Sequence, residues 1–362
     1  MLGLARPLLH RLGHDDRGVI AVLVALLIGG GVLTGMGALV IDVGQLYSER
    51  AQLQSGADAA ALAVAKSCAS GTCAPGLAVQ YADANARDGV SAVRLVCGSG
   101  NLGGCPASTG KITDCPAPPG GLNYVDVHTA TENADGSTLL PPSFARSLPG
   151  LANYGGTNVG ACAQAEWGPP LTAATAAFTI SACEWDTETS LGTSFAPAPP
   201  YPPDPAPAPS LDQVLSLRTS AGGGCPSEPA GADGAGVFGW IDDQTGTCMA
   251  DITGATYGDD SGASAGQSCT QALASAAASG IPVAIPVYVS VAGAVYTLKG
   301  FAAFVVTGYQ LPGAAASDWL NPANNCTGSA ECINGFFVRA LIPATGPVGG
   351  PDLGATEIRL GG

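Results

Sequence analysis

Between Arg17 and Asp42 the chain carries no charge, and residues 19–41 read VIAVLVALLIGGGVLTGMGALVI. At about 1.5 Å of rise per helical residue, such a run crosses a hydrocarbon core of roughly 30 Å with some tilt. It passes without a proline into DVGQLYSERAQLQSGADAAALAVAK. There Leu46, Leu53, Ala57, Ala60 and Val64 recur at helical spacings, which predicts one apolar face on a helix continuing beyond the lipid. A cleaved secretory signal fits less well, because its apolar core is only about 7–15 residues long and ends at a small-x-small site. A buried helix of a soluble core does not call for an uncharged run of this length. The expectation is a retained anchor.

Charge sets the orientation. Arg6, Arg11 and Arg17 flank the run on its N-terminal side and Asp42 is the first charge beyond it; basic flanks stay cytoplasmic. Residues 1–18 are therefore expected inside and the bulk of the chain outside, as a single-pass protein of the cell membrane. All 12 cysteines, from Cys68 to Cys332, lie beyond the run, where an oxidising compartment permits disulfides. A net charge of −15 argues against nucleic acid as a partner, since phosphates need a basic face. With 11% charged residues, 52 Gly and 28 Pro, the exterior reads as loop-rich and β-leaning.

The order of residues around the run carries a resemblance. Asp16-Arg17-Gly18 is followed by the apolar span, then Ile41-Asp42-Val43-Gly44, Leu46-Tyr47, Arg50, Leu53-Gln54 and the alanine-rich stretch with Asp58. This resembles the N-terminal segment of the TadE/TadG-like Flp (tight-adherence) pilus-assembly proteins of bacteria, over about residues 15–66. The remainder is only loosely similar to larger actinobacterial members. The resemblance implies a membrane protein with a pilin-like helix, working with other Flp/Tad pilus-assembly proteins at the cell surface. Pilins and pseudopilins of that system carry a glutamate five residues after a processed glycine; here the fifth residue after Gly18 is Leu23. That departure places the chain nearer the unprocessed TadG-like members.

Further along, a helix is expected from Val79 to Asp88, strands at residues 91–97, 124–131 and 159–167, and a short helix at 144–148. Residues 196–210 read APAPPYPPDPAPAPS, an extended polyproline spacer. The fold class is α+β: a transmembrane helix over residues 19–43, an external α+β domain to residue 190, a Pro-rich linker over 191–211, and a mostly β, disulfide-containing domain over 212–362. Its densest strands are expected between residues 281 and 311, with a helix at 271–279. Cys68 with Cys73, and Cys326 with Cys332, are close enough for local disulfides. An odd number of cysteines on each side of the linker requires a free thiol or a bridge across it.

Searching for chemistry returns mostly negatives. Gly262, Ser264 and Gly266 spell the nucleophile-elbow pattern, but a polar YGDDS precedes them and no histidine follows His128, so the Ser-Asp-His order is impossible. The cysteines lack paired C-x2-C zinc spacing, and Asp242–Asp243 and Asp259–Asp260 do not form an EF-hand loop. No catalytic, cofactor-binding or metal residues are expected. Gly29, Gly30, Gly31, Gly35 and Gly37 allow close helix approach in lipid, where van der Waals packing must drive association. Asp42 is expected to mark the lipid boundary and Asp58 a solvated face. The leading reading is a non-enzymatic, membrane-anchored pilus-assembly component; a surface adhesin or ligand-binding module sharing the anchor is the alternative.

Overall fold

In the computed structural model, helix α1 (Asp16–Gly29) and helix α2 (Val32–Ala69) flank Gly30 and Gly31. The residues described are 16–29, 32–148, 150–197, 212–216, 238–243, 246–258, 267–293, 295–323, 331–343 and 346–361. Gly30, Gly31, Cys326, the GASAG motif and most of the Pro-rich stretch lie outside them. Among the described residues no helix is long and apolar enough to cross a membrane. The expected spanning helix, residues 19–43, is thus divided between α1 and the first part of α2.

Beyond Arg50, α2 becomes the floor of a core. Leu53, Ala57, Ala60, Ala61 and Val64 are buried at the spacings that bring them to one face, whereas Leu46 is half-buried. The helix ends where Gly71 takes a left-handed φ of 93°, and the Cys68–Cys73 disulfide closes the turn. Helix α3 (Leu77–Asn85) then folds back along α2. A Cβ on Gly56 would sit 3.1 Å from the Ala82 carbonyl oxygen, so the absence of a side chain there sets how closely the two helices approach.

Strands β1 (Ala92–Gly98), β2 (Asn123–Ala130) and β3 (Gly160–Gly168) form an antiparallel meander across this helix. Val125, Val127, Ala163, Ala165 and Trp167 supply the facing half of the core. The opposite face is covered too. Asp126 is buried there and accepts from Gln164 Nε2 at 2.9 Å. Disulfides Cys97–Cys105 and Cys115–Cys162 tie the intervening loop to the sheet. That double coverage explains why β2 departs from simple in–out alternation.

The larger sheet has the order β6-β13-β11-β10-β5-β7. Its elements are β5 (Phe178–Ser181), β6 (Gln213–Ser216), β7 (Phe238–Trp240), β10 (Val283–Ala292), β11 (Val295–Leu311) and β13 (Cys332–Val338). Short strands β9 (Thr256–Gly258) and β12 (Ala314–Ala316) pair with β11, and β4 (Ala173–Ala176) pairs with β8 (Met249–Ile252). Phe178, Ile180, Ile285, Tyr288, Phe304 and Phe336 form the centre of this core. Helix α4 (Ala182–Glu188) follows β5 directly, and helix α5 (Gln267–Ser279) packs on β11. A Cys248–Cys269 disulfide joins the start of α5 to the residue just ahead of β8.

The Pro-rich stretch does not separate two closed units. Strand β5, from before it, lies in the larger sheet parallel to β10. Strand β14 (Ala340–Leu341) and the last strand, β15 (Ala355–Gly361), return to the first sheet, where β15 runs antiparallel to β3. Arg359 reaches the buried Glu166 carboxylate at 2.8 and 3.0 Å and adds an ion pair to this strand pairing. Cys183 and Cys332 are also disulfide-bonded, and there is no free cysteine among the described residues. The other cysteines ahead of the Pro-rich stretch pair among themselves, so the bridge at Cys183 spans it.

Candidate functional site

The residues around α2 that stand out in sequence are brought to one structure, the seam between this helix and what lies across it. Leu53 is buried and its carbonyl accepts from Thr129 Oγ1 of β2 at 3.0 Å. Gln54 Nε2 donates to Asp58 Oδ1 at 2.9 Å and to the Cys162 carbonyl of β3 at 3.0 Å. Asp58 therefore orients Gln54, a helical i,i+4 pair, and is only partly exposed. These polar contacts fix the register of helix on sheet where alanine packing alone would let it slide.

Asp42 holds something else. Its carboxylate accepts from the backbone N–H groups of Ser143, Phe144 and Ala145, at 2.8, 3.0 and 2.5 Å. These open a single 3-10 turn, Ala145–Ser147, and Ser143 Oγ donates to Gln45 at 2.9 Å. A carboxylate against the free N–H groups of such a turn acts as a cap supplied from another element. The sequence shows no signal for this contact, because the partners lie about a hundred residues apart.

The glycines divide. Gly29 and Gly37 have nothing within 4 Å of a Cβ position, and neither do Gly18 and Gly44. A Cβ on Gly35 would lie 3.3 Å from the Leu148 side chain. Gly30 and Gly31 lie outside the described residues, as does the side chain of Arg17. Beside Val43, Leu46 and Tyr47 an open hollow of about 420 Å³ lies against Ile112 and Val159, with Arg50 at its rim donating to the Ile112 carbonyl at 2.8 Å.

Other titratable clusters have structural partners. Cys115, His128 and Cys162 come within ligand distance of one another, as do Cys97, Cys105 and Asp126, but the cysteines of each group are joined in a disulfide and offer no thiolate. Asp318, 1% exposed, accepts from Leu320 N, Asn321 N and Asn334 Nδ2, and Asp212 from Thr307 Oγ1. Both carboxylates are sealed from solvent and anchor the chain against β11 and β13.

Glu184 is the exception. It is 5% exposed, and burial first, then the charge and hydrogen bonding of Glu188 one turn on, push its carboxyl up to about 7. The folded state then holds a proton that the unfolded chain, at 4.5, has released. Its contribution is unpenalised below pH 4.5 and falls as pH rises through about 7. Glu184→Gln is expected to raise stability at pH 8 by roughly 3 kcal/mol and to flatten the dependence between pH 5 and 8. Thermal unfolding of both proteins at the two pH values checks this; parallel curves would reject it.

The seam defines a class: an α+β body built onto a long N-terminal helix whose marked residues serve packing and register. Residues 18–67 match the family model described as Putative Flp pilus-assembly TadE/G-like. The matched segment includes Asp42, Leu53, Gln54 and Asp58. No curated protein and no solved structure matches the chain.

Proposed function

We propose that the chain is a non-enzymatic, membrane-anchored component of Flp pilus assembly or anchoring, with its N-terminus cytoplasmic and its sheets outside the cell. The observation that carries this reading is the TadE/G-like match over residues 18–67, joined to the apolar surface of the same segment. Val19, Ile20, Val22, Leu26, Met36 and Val40 are each at least 60% exposed. An uncharged surface of that kind is covered in the working protein, and a bilayer covers an uncharged run of this length. Arg17 ahead of it and Asp42 behind it complete the flanks. Partners from the same pilus system follow from the family, and the open glycines Gly29 and Gly37 leave a helix surface on which they can pack.

Topology reporters test the orientation. A fusion after Leu12 is expected to report the cytoplasm and one after Gly120 the exterior; an exterior signal from the first defeats the reading. Gly37→Leu is expected to leave protein level unchanged while reducing piliation and co-purification with other pilus proteins.

A further inference from the structure

A second part of the chain reaches the level of the apolar run. Gly35, Ala38 and Asp42 fall on one face of α2, and Ser143, Phe144, Ala145 and Leu148 of the loop 139–154 lie against it. Asp42 caps the turn at residues 143–145, and Leu148 reaches Gly35. Between them Ala38 is 6% exposed, while Met36, Leu39 and Val40 on the other faces remain 59–70% exposed. Seven residues of helix span about 10 Å, so the loop extends that far below Asp42 alongside residues expected in lipid.

The composition of this loop suits that depth. Residues 139–154 read LLPPSFARSLPGLANY, and Arg146 is their sole charge in a chain of net charge −15. Leu139, Phe144, Leu151 and Tyr154 are 38–47% exposed. Backbone that enters an apolar region must satisfy its own polar groups, and here much of it does. Leu140 and Thr157 exchange N–H to carbonyl bonds; Leu148, Leu151 and Tyr154 donate to Ala145, Leu148 and Leu151. Asp42 takes the three N–H groups of the turn, and Arg146 Nε donates to the Tyr154 carbonyl at 2.9 Å. A tyrosine and an arginine beside exposed leucines form the pattern of side chains that settle at headgroup level.

We propose that the loop of residues 139–154 is a second membrane contact, inserting Leu139, Phe144, Leu151 and Tyr154 into the outer face of the bilayer that holds the anchor, with Arg146 at the phosphates. The inference rests on the anchor reading above. It makes the exterior domain sit on the membrane at a set tilt, clamped at Asp42.

The test uses the full chain in vesicles of phosphatidylcholine and phosphatidylglycerol containing a phospholipid with a photoactivatable diazirine on its acyl chain. After illumination, adducts are mapped by peptide mass spectrometry. Adducts are expected in residues 19–41 and in residues 139–154. In the double variant Leu151→Glu, Tyr154→Glu the loop adducts are expected to fall at least tenfold, with those in 19–41 retained; both changed side chains are exposed, so folding is expected to persist. Adducts in 19–41 alone overturn the inference and leave the anchor standing. Adducts in neither segment overturn both. A loop that cross-links to a second copy or another protein, with no lipid adduct, also overturns it.

Discussion

Ending the chain after Gly354 is expected to unfold the sheet on which α2 rests, although the three strands facing that helix's core come from residues 92–168 and only the two-residue β14 lies beyond β15. The deletion removes β15, whose Ala355 and Glu357 are fully buried and whose Ile358 packs against the α2 core. Fully burying an isoleucine is worth about 1.5–3 kcal/mol, and the partly buried Ile358 contributes a share of that. Glu166, 6% exposed, would lose Arg359, at a cost of about 1–3 kcal/mol after discounting for the screening of the half-exposed arginine. With the β3 hydrogen bonds also lost, the total is at least about 3 kcal/mol, a large share of the roughly 5–15 kcal/mol that holds a domain together. Limited proteolysis of the full-length and shortened chains checks this. New cleavage between residues 92 and 168 is the expected result, and unchanged protection would show that the first sheet closes without β15.

Gly335→Ala is expected to disrupt the larger sheet. Gly335 lies in β13, where an added Cβ would fall inside the Val305 carbonyl of β11 and 2.5 Å from the Phe304 ring. A backbone carbonyl in a paired strand cannot give way, and overpacking of a tight core costs about 3 kcal/mol at the upper end of its usual range, sometimes more. Gly37→Ala is the control, with nothing within 4 Å of the new methyl. Denaturant unfolding should show a much lower midpoint for the first variant and an unchanged one for the second; equal midpoints would mean that β13 and β11 are further apart than described.

These two expectations mark where reading the sequence succeeds and where it stops. Strands at residues 91–97 and 124–131 and the long run 295–311 were legible because β-branched and aromatic residues recur between turn residues there. The α2 face from Leu53 to Val64 was legible from its spacing. Strands β4 and β5, AATA and FTIS, are too short and too rich in alanine and threonine to stand out, and their partners come from beyond the Pro-rich stretch. The proline composition suggested a boundary between domains, whereas β5 and β15 cross between the sheets. Asp42 read as a boundary marker because a contact across a hundred residues leaves no local pattern, and Gly56 was passed over among alanines although it sets the approach of α3.

The strand exchange also decides how the two sheets respond to tension. The chain leaves the first sheet at the end of β3 and, apart from the two-residue β14 on its edge, rejoins it at the start of β15, and Glu357 pairs with Gly168, so both crossings lie at the same end of adjacent strands. A pull on the larger sheet therefore reaches the helix through two chain segments in parallel, drawing β3 and β15 lengthwise together. The rows of hydrogen bonds between β2 and β3 are then loaded in shear, all at once, instead of opening one by one from a frayed end.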